Sequence, residues 1–272
     1  MNGKPARVAE NEIIVGDALE WLPLIPDDSV DLVIADPPYN LGPRFAGAPN
    51  WTRDPEWIVW CREWLRECTR VLRPGGAIFV FGIHHYACYL QVEMYELGLT
   101  YRRQLIWFYE NGFSRSTRMP STQYEPILWF TKGDGFTYHV LREPYKSRDR
   151  LRHAITKNGK LWKPHPEGRI AGDIWSFPVL AGRRFANERV AHPTQKPLAL
   201  ANRIVRHFSH PGELVLVPFA GSGTECLSAQ LSGRRFIGFE ISSEYASLAR
   251  KRLAAQGPLF ATRAATHDER AR

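Results

Sequence analysis

Four consecutive residues, Asp36-Pro37-Pro38-Tyr39, combine a carboxylate, two prolines with fixed φ and an aromatic ring. That set suits chemistry on an amino group conjugated to a ring. The exocyclic amine of adenine or cytosine is a poor nucleophile, because its lone pair is delocalised into the ring. Acceptors fixed on both of its N–H bonds let the nitrogen pyramidalise and stabilise the charge that develops on it. The Asp36 carboxylate can be one acceptor and the Pro37 carbonyl the other. Tyr39 offers a ring face for a base to stack on, an interaction worth roughly 1–3 kcal/mol. The alternative is a strand-ending turn with an exposed tyrosine. Four specified residues directly after an apolar strand weigh against it.

A second stretch, Phe219-Ala220-Gly221-Ser222-Gly223-Thr224, joins a strand to a helix. Its glycines allow close backbone approach to a ligand, and the helix start offers free N–H groups. No Gly-Lys-Ser/Thr follows, so it is not a phosphate loop, and Cys226 stands where a dinucleotide fingerprint needs a third glycine. Glu240 ends the next strand, where a carboxylate can accept from both hydroxyls of a ribose. Taken alone, this loop and Glu240 read equally well as a tight turn and a surface acid. Asp17 follows another strand and could accept from the amine of a bound adenine. A turn aspartate after Gly16 is an equal reading.

The elements that position these groups follow from apolar patterning. Val30 to Ala35 is a buried strand, and the two prolines must stop it. Asn11 to Val15, Ala77 to Phe81, Glu213 to Pro218 and Arg235 to Glu240 are further strands. Thr100 to Glu110 and Glu125 to Lys132 read as an antiparallel pair. Asp54 as cap and Pro55 as first helical residue open a helix, with Trp57, Cys61, Trp64, Leu65, Cys68, Val71 and Leu72 at helical spacing. Pro74-Gly75-Gly76 ends it. Further helices are expected over His84 to Gly98, Leu198 to Phe208, Thr224 to Leu231 and, capped by Ser242, Tyr245 to Ala255. Asn40 to Thr52, rich in Gly and Pro, reads as a mobile loop beside the site. Alternating strands and helices imply the α/β class, with a mostly parallel sheet covered on both faces.

The chain of 272 residues, 44% apolar, can bury one sizeable core with an inserted subdomain. No apolar run reaches the roughly 18 residues of a membrane span, and the polar stretch Met1 to Glu12 lacks a signal-peptide core. A soluble cytoplasmic protein is expected. Cys61, Cys68, Cys88 and Cys226 form no metal-spaced cluster, so reduced thiols and no metal site are expected. Charge is unevenly placed. Between Tyr101 and Val190 there are 17 Lys/Arg against 8 Asp/Glu, so the net +8 of the whole chain arises in its middle third. A near-neutral scaffold with a basic insert fits a polyanionic partner. The expected division is 11–132 and 191–255 as two halves of one domain, 133–190 as an insert and 256–272 as a flexible tail.

These motifs closely resemble those of the amino-group DNA methyltransferases. The resemblance rests on Gly16-Asp17-Ala18, on Ser29 through Asn40, on His192-Pro193-Thr194-Gln195-Lys196-Pro197, on Pro218 through Thr224 and on Arg235 through Glu240. The catalytic motif precedes the glycine motif, the order of the β class. The resemblance implies a methyltransferase fold with a seven-stranded, mostly parallel sheet and one antiparallel strand. It implies S-adenosylmethionine as cofactor, with Glu240 on its ribose and Asp17, beside Ala18, on its adenine. Phe219, Ala220, Gly221, Ser222, Gly223, Thr224 and Lys196 would line the methionine end, with Lys196 pairing its carboxylate. Asp36, Pro37, Pro38 and Tyr39 would take a base flipped out of double-stranded DNA. The family's usual acid before Pro-Phe is Val217 here, so Asp36 could partly substitute as acceptor for the donor's ammonium. The departure also leaves room for a non-catalytic DNA-binding descendant. Aspartate before Pro-Pro-Tyr implies N6 of adenine, with N4 of cytosine, RNA or protein glutamine as alternatives. The basic middle corresponds to the target-recognition region. Its expected DNA footprint is Arg115, Arg118, Lys146, Arg148, Arg150, Arg152, Lys157, Lys160 and Lys163. The resemblance further implies a homodimer.

Overall fold

The computed structural model describes residues 8–40, 51, 53–112 and 117–255, with the side chain of Arg148 left out. Its strands are β1 (Glu12–Val15), β2 (Val30–Ala35), β3 (Leu72–Phe81), β4 (Thr100–Phe108), β5 (Tyr124–Thr131), β6 (Arg142–Glu143), β7 (Ile155–Lys157), β8 (Lys160–Trp162), β9 (Arg169–Ile170), β10 (Ile174–Ser176), β11 (Leu214–Val217) and β12 (Arg235–Glu240). The helices are α1 (Ala18–Trp21), α2 (Asp54–Val71), α3 (Ala87–Glu96), α4 (Leu198–Phe208), α5 (Thr224–Leu231) and α6 (Ser243–Ala255).

The central sheet runs β1-β12-β11-β2-β3-β5-β4-β10. Its neighbours are parallel except around β5, which is antiparallel to both β3 and β4. Seven of these strands are the ones the sequence patterning supplies. The eighth, β10, comes from the basic middle and pairs with β4, Trp175 opposite Trp107. The middle segment is therefore partly woven into the main sheet. Its remainder forms two small ladders, β6 with β9 and β7 with β8.

The near-continuous apolar runs of β2, β3 and β11 fit strands buried on both faces. Successive residues point to opposite sides. Val33, Ala35, Ile78 and Val80 pack with Trp57, Trp64 and Leu65 of α2 and Leu90 and Met94 of α3. Leu32, Ile34, Phe79 and Phe81 pack with Ile204, Val205 and Phe208 of α4 and with residues of α5 and α6. Cys61 and Cys68 are free thiols in the first cluster, as their spacing indicated.

Several boundaries differ from the sequence reading. Helix α2 ends at Val71, and β3 begins at once, with Leu72 opposite Val30. Pro74-Gly75-Gly76 lies inside this strand as an irregularity, the register shifting between Val30 and Leu32. The Gly75 N–H donates to the Lys132 carbonyl at 2.7 Å, which keeps the chain paired although Pro74 has no N–H. Asp54 is the first helical residue rather than a side-chain cap. Its carboxylate instead accepts from the Tyr86 hydroxyl at 2.6 Å and the Asn40 amide at 3.0 Å. Helix α3 starts at Ala87, three residues later than expected, after a turn closed on the Ile83 carbonyl. Among the described residues, no helix is long and apolar enough to cross a membrane. The expected loop Asn40 to Thr52 falls mostly outside the described residues, and the expected tail lies wholly outside them.

Candidate active site

Strands β1, β12, β11 and β2 are neighbours and parallel, so their carboxyl ends lie along one edge of the sheet. In open α/β sheets that edge carries the ligand crevice. Asp17 follows β1, Glu240 ends β12, the glycine loop follows β11 and Asp36 follows β2. One cavity is lined by Asp17, Ala18, Asp36, Pro37, Pro38, Tyr39, Lys196, Phe219, Ala220, Gly221, Ser222 and Glu240. The expected site thus comes together, apart from two residues. Gly223 is the N-cap of α5 at φ 74°, and Thr224 is fully buried with its hydroxyl 3.1 Å from that of Ser222. Both support the loop from behind.

The glycine turn allows no side chain. Gly221 sits at φ 51°, and a Cβ there would lie 3.0 Å from Nε2 of His192. At Gly223 a Cβ would lie 2.8 Å from that of Ala249. A left-handed turn pressed against two neighbours needs glycine at both places. The Gly221 N–H donates to Oε2 of Glu240 at 2.7 Å, and the Ser242 N–H donates to Oε1 at 2.8 Å. Burial pushes the Glu240 carboxyl upward, while these N–H groups pull the other way. A carboxylate offers about four lone-pair sites, so fixing Glu240 by two N–H groups leaves acceptor capacity toward a diol. Asp17 caps α1, its Oδ1 accepting from the Leu19 N–H at 2.9 Å. The turn reading of Asp17 therefore holds, and the residue lines the cavity as well.

The Asp36 corner differs from expectation in one respect. Tyr39 is not an exposed platform. It is 7% exposed and packed in the first core cluster, and its hydroxyl donates to Oδ1 of Asp36 at 2.8 Å. A buried phenol must find an acceptor, and Asp36 is the one at hand. Burial first, and the Asp36 charge next, push the phenol well above its ordinary range. It stays protonated and works as a clamp on Asp36. The indole N–H of Trp57 donates to the Pro38 carbonyl at 2.9 Å and pins the corner from below. Among the described residues nothing donates to the Pro37 carbonyl.

Lys196 also sits differently. Its ammonium lies 2.9 Å from Oδ2 of Asp36 and 3.2 Å from Oε2 of Glu125, and it is 5% exposed. The resemblance had it pairing a ligand carboxylate. Two half-buried carboxylates already claim it, because a charge out of water needs opposite charges beside it. Burial alone would lower its pKa, but Asp36 and Glu125 outweigh that and raise it. Glu125 is pushed up by burial, and Lys196 pulls it back. The ammonium thus holds two carboxylates together at the corner, facing Phe81 and Trp107 at 5.2 and 5.6 Å.

Several lining residues carry no role in the sequence reading. Trp60 packs on Phe219 with ring centroids 5.4 Å apart. Helical spacing marked its neighbours Trp57, Cys61 and Trp64 as the inward face and passed over it. His192 stands edge-on to Tyr245 at 4.6 Å. Burial lowers it to about 4, so it is neutral at pH 7. Glu225, in the first turn of α5, is buried on the cavity wall.

A search of known families matches residues 30–251 to the family described as DNA methylase, the N6/N4 amino-methyltransferases. The chain belongs to the DNA methylase family. The DNA adenine methyltransferase YhdJ of Escherichia coli is 36% identical over 245 residues, spanning 89% of this chain and 82% of that one. The type II methyltransferase M1.MboII of Moraxella bovis is 32% identical, spanning 88% and 95%. The crystal structure of the M1.HpyAVI–SAM complex superposes with a TM-score of 0.63 at 25% identity, covering 89% of this chain and 98% of that one. The cytosine-N4-specific PvuII methyltransferase shares the fold, with a TM-score of 0.69 at 21% identity. S-adenosylmethionine is the cofactor of this family. The wall built by Glu240, Gly221 and Asp17 offers carboxylate acceptors and close backbone approach, which suits the donor–acceptor chemistry of its nucleoside.

The expected DNA footprint lies away from the cavity wall. Lys157 and Lys160 face each other across the β7–β8 hairpin, and both are exposed, as are Lys146 and Lys163. Arg150 lies over the Trp162 ring at 4.9 Å, and Arg152 pairs with Asp149 at 3.1 Å. Arg118 is exposed. Arg115 lies outside the described residues, and for Arg148 the backbone alone is described, at the start of a 3-10 turn.

Proposed function

We propose that the protein transfers the methyl group of S-adenosylmethionine to N6 of adenine in double-stranded DNA. The observation that carries this reading is the single cavity that joins the Asp36 corner to the Gly221 loop. A base inside a duplex cannot reach such a corner, so the target nucleotide must leave the stack. Its amino group then meets the Asp36 carboxylate and the Pro37 carbonyl. Tyr39 and Lys196 hold the carboxylate before reaction, and Trp57 pins the chain next to the Pro37 carbonyl through the carbonyl of Pro38. Preorganised acceptors aimed at developing charge are commonly the largest catalytic term. S-adenosylmethionine, when bound, supplies an electrophilic methyl on a sulfonium sulfur. The chain's part is to orient the amine, take up the developing positive charge and keep water out. Adenine over cytosine is supported by aspartate at position 36 and by the adenine-modifying relative YhdJ.

The test is to incubate the protein with methyl-labelled donor and with DNA, RNA or protein, then hydrolyse and separate the products. Label in N6-methyladenine from duplex DNA is expected. Label confined to N4-methylcytosine, to RNA or to protein would overturn the assignment.

The basic hairpin and its flanks would track phosphates. Replacing Lys157, Lys160 and Lys163 together by alanine should weaken binding to all DNA sequences alike. It should also lower the salt slope of log K by about 2–3, since each phosphate contact contributes about 0.9. An unchanged slope in a filter-binding salt series would remove these lysines from the interface. We further infer a homodimer in the cytoplasm. Exposed apolar side chains on two adjoining helices, Val59 of α2 and Tyr89, Val92 and Tyr95 of α3, support the dimer. Sedimentation equilibrium distinguishes dimer from monomer.

A further inference from the structure

Glu225 is a buried acid that the mechanism above does not use. It is 5% exposed, and its side chain lines the same cavity as Asp36, Gly221 and Ser222. Its Oε1 is shut off from solvent and finds no hydrogen-bond partner among the described residues. Buried polar atoms in folded proteins are nearly always satisfied, so an orphan on a ligand cavity points to a ligand donor. Val217, at the end of β11, is aliphatic, buried in the second core cluster and off the cavity wall. Asp36 already accepts from Tyr39 and Lys196. Oε1 of Glu225 is thus an uncommitted carboxyl oxygen on the cavity, although the side chain also takes its own backbone N–H.

We propose that Glu225 receives the α-ammonium group of S-adenosylmethionine. This rests on the methyl-donor reading of the cavity. The chemistry selects that end of the ligand. A carboxylate placed against Glu225 and Asp36 would be repelled, whereas an ammonium brings three N–H donors and the opposite charge. The groups that face Glu225 come from three elements. Asp36 after β2 disfavours its charge, while Lys196 before α4 and Arg252 of α6 favour it. Burial is the largest influence, and the carboxyl is pushed up to about 7. Near neutral pH it is therefore partly protonated without a ligand. An arriving ammonium stabilises the charged form, so binding should expel a proton. Affinity should rise with pH through this range.

Calorimetry with two ligands tests the assignment. S-adenosylhomocysteine carries the amino-acid end, and 5′-methylthioadenosine carries the same nucleoside without it. Glu225→Gln should weaken S-adenosylhomocysteine roughly 10- to 100-fold, the usual span for losing a charged hydrogen-bond partner. It should leave 5′-methylthioadenosine unchanged. The wild type, titrated near pH 7 in buffers of different ionisation enthalpy, should release part of a proton on binding the first ligand and none on binding the second. This readout stands even if the variant folds poorly. The nucleoside titration also reports Glu240 and every other contact the two ligands share. Equal affinity of variant and wild type for S-adenosylhomocysteine, equal losses for both ligands, or no proton release would overturn the role of Glu225. Failure of the wild type to bind either ligand would instead sink the donor reading itself.

Discussion

Asp36→Ala is expected to lower kcat for methyl transfer by about 10²- to 10³-fold, the scale seen when a preorganised polar group is removed from a transition state. Donor affinity should change little, because the ribose and loop contacts lie on β11 and β12. The loss has two parts. The carboxylate no longer accepts from the target amine, and the Tyr39 hydroxyl and Lys196 ammonium lose a shared partner. Asp36→Asn separates them. It keeps an acceptor oxygen for the Tyr39 hydroxyl, but it removes the charge and turns an N–H group toward Lys196 or the substrate. A transfer rate close to wild type in either variant, measured at saturating DNA and donor, would contradict the role of the carboxylate.

Lys196→Met is expected to have the second-largest effect, on both stability and pH profile. Removing the cation leaves Asp36 and Glu125 facing each other without compensation. Breaking a buried ion pair by deleting one partner costs about 3–5 kcal/mol; these carboxylates are partly exposed, at 19% and 22%, so the lower end applies. Thermal or urea denaturation measures it. The pH effect has a definite sign. Glu125 already sits above its ordinary value through burial, and Lys196 is what restrains it. Without Lys196, Glu125 retains its proton to higher pH. Transfer uses the charged corner, so the acid limb of the kcat profile should move upward, with activity recovering on raising the pH. A uniform loss at every pH would reduce Lys196 to a packing role. In the wild type the raised lysine keeps its charge below the free-lysine range of about 10.4, so its own contribution to stability is complete at neutral pH and is lost only in strong alkali.

Much of this was legible in the chain because it depends on local pattern. Strands buried on both faces read as unbroken apolar runs, and α4 and α5 carry clear helical spacing between proline, glycine and turn residues. The expectation that chemistry lies just past strand ends follows from parallel topology, and the sheet places Asp17, Asp36, Gly221 and Glu240 accordingly. What local pattern cannot show is which side chain meets which across the fold. Tyr39 reads as an exposed ring until α2 is packed beneath it. Lys196 and Asp36 are 160 positions apart, and nothing near either one announces Glu125. Glu225 has no place in the sequence reading, since an acid in a first helical turn is ordinary, and only the packed structure shows it buried with an unpartnered oxygen. Strand β10 is three residues long, too short for a period, and exists because the edge of β4 accepts it.

The most direct test of the central claim is diffraction from crystals of the protein grown with S-adenosylhomocysteine. Density for the ligand should fill the cavity, with its ribose on Glu240, its nucleoside beside Asp17 and its sulfur toward Asp36. Density at any other place on the molecule, or a ligand whose sulfur points away from the Asp36 corner, would contradict the account.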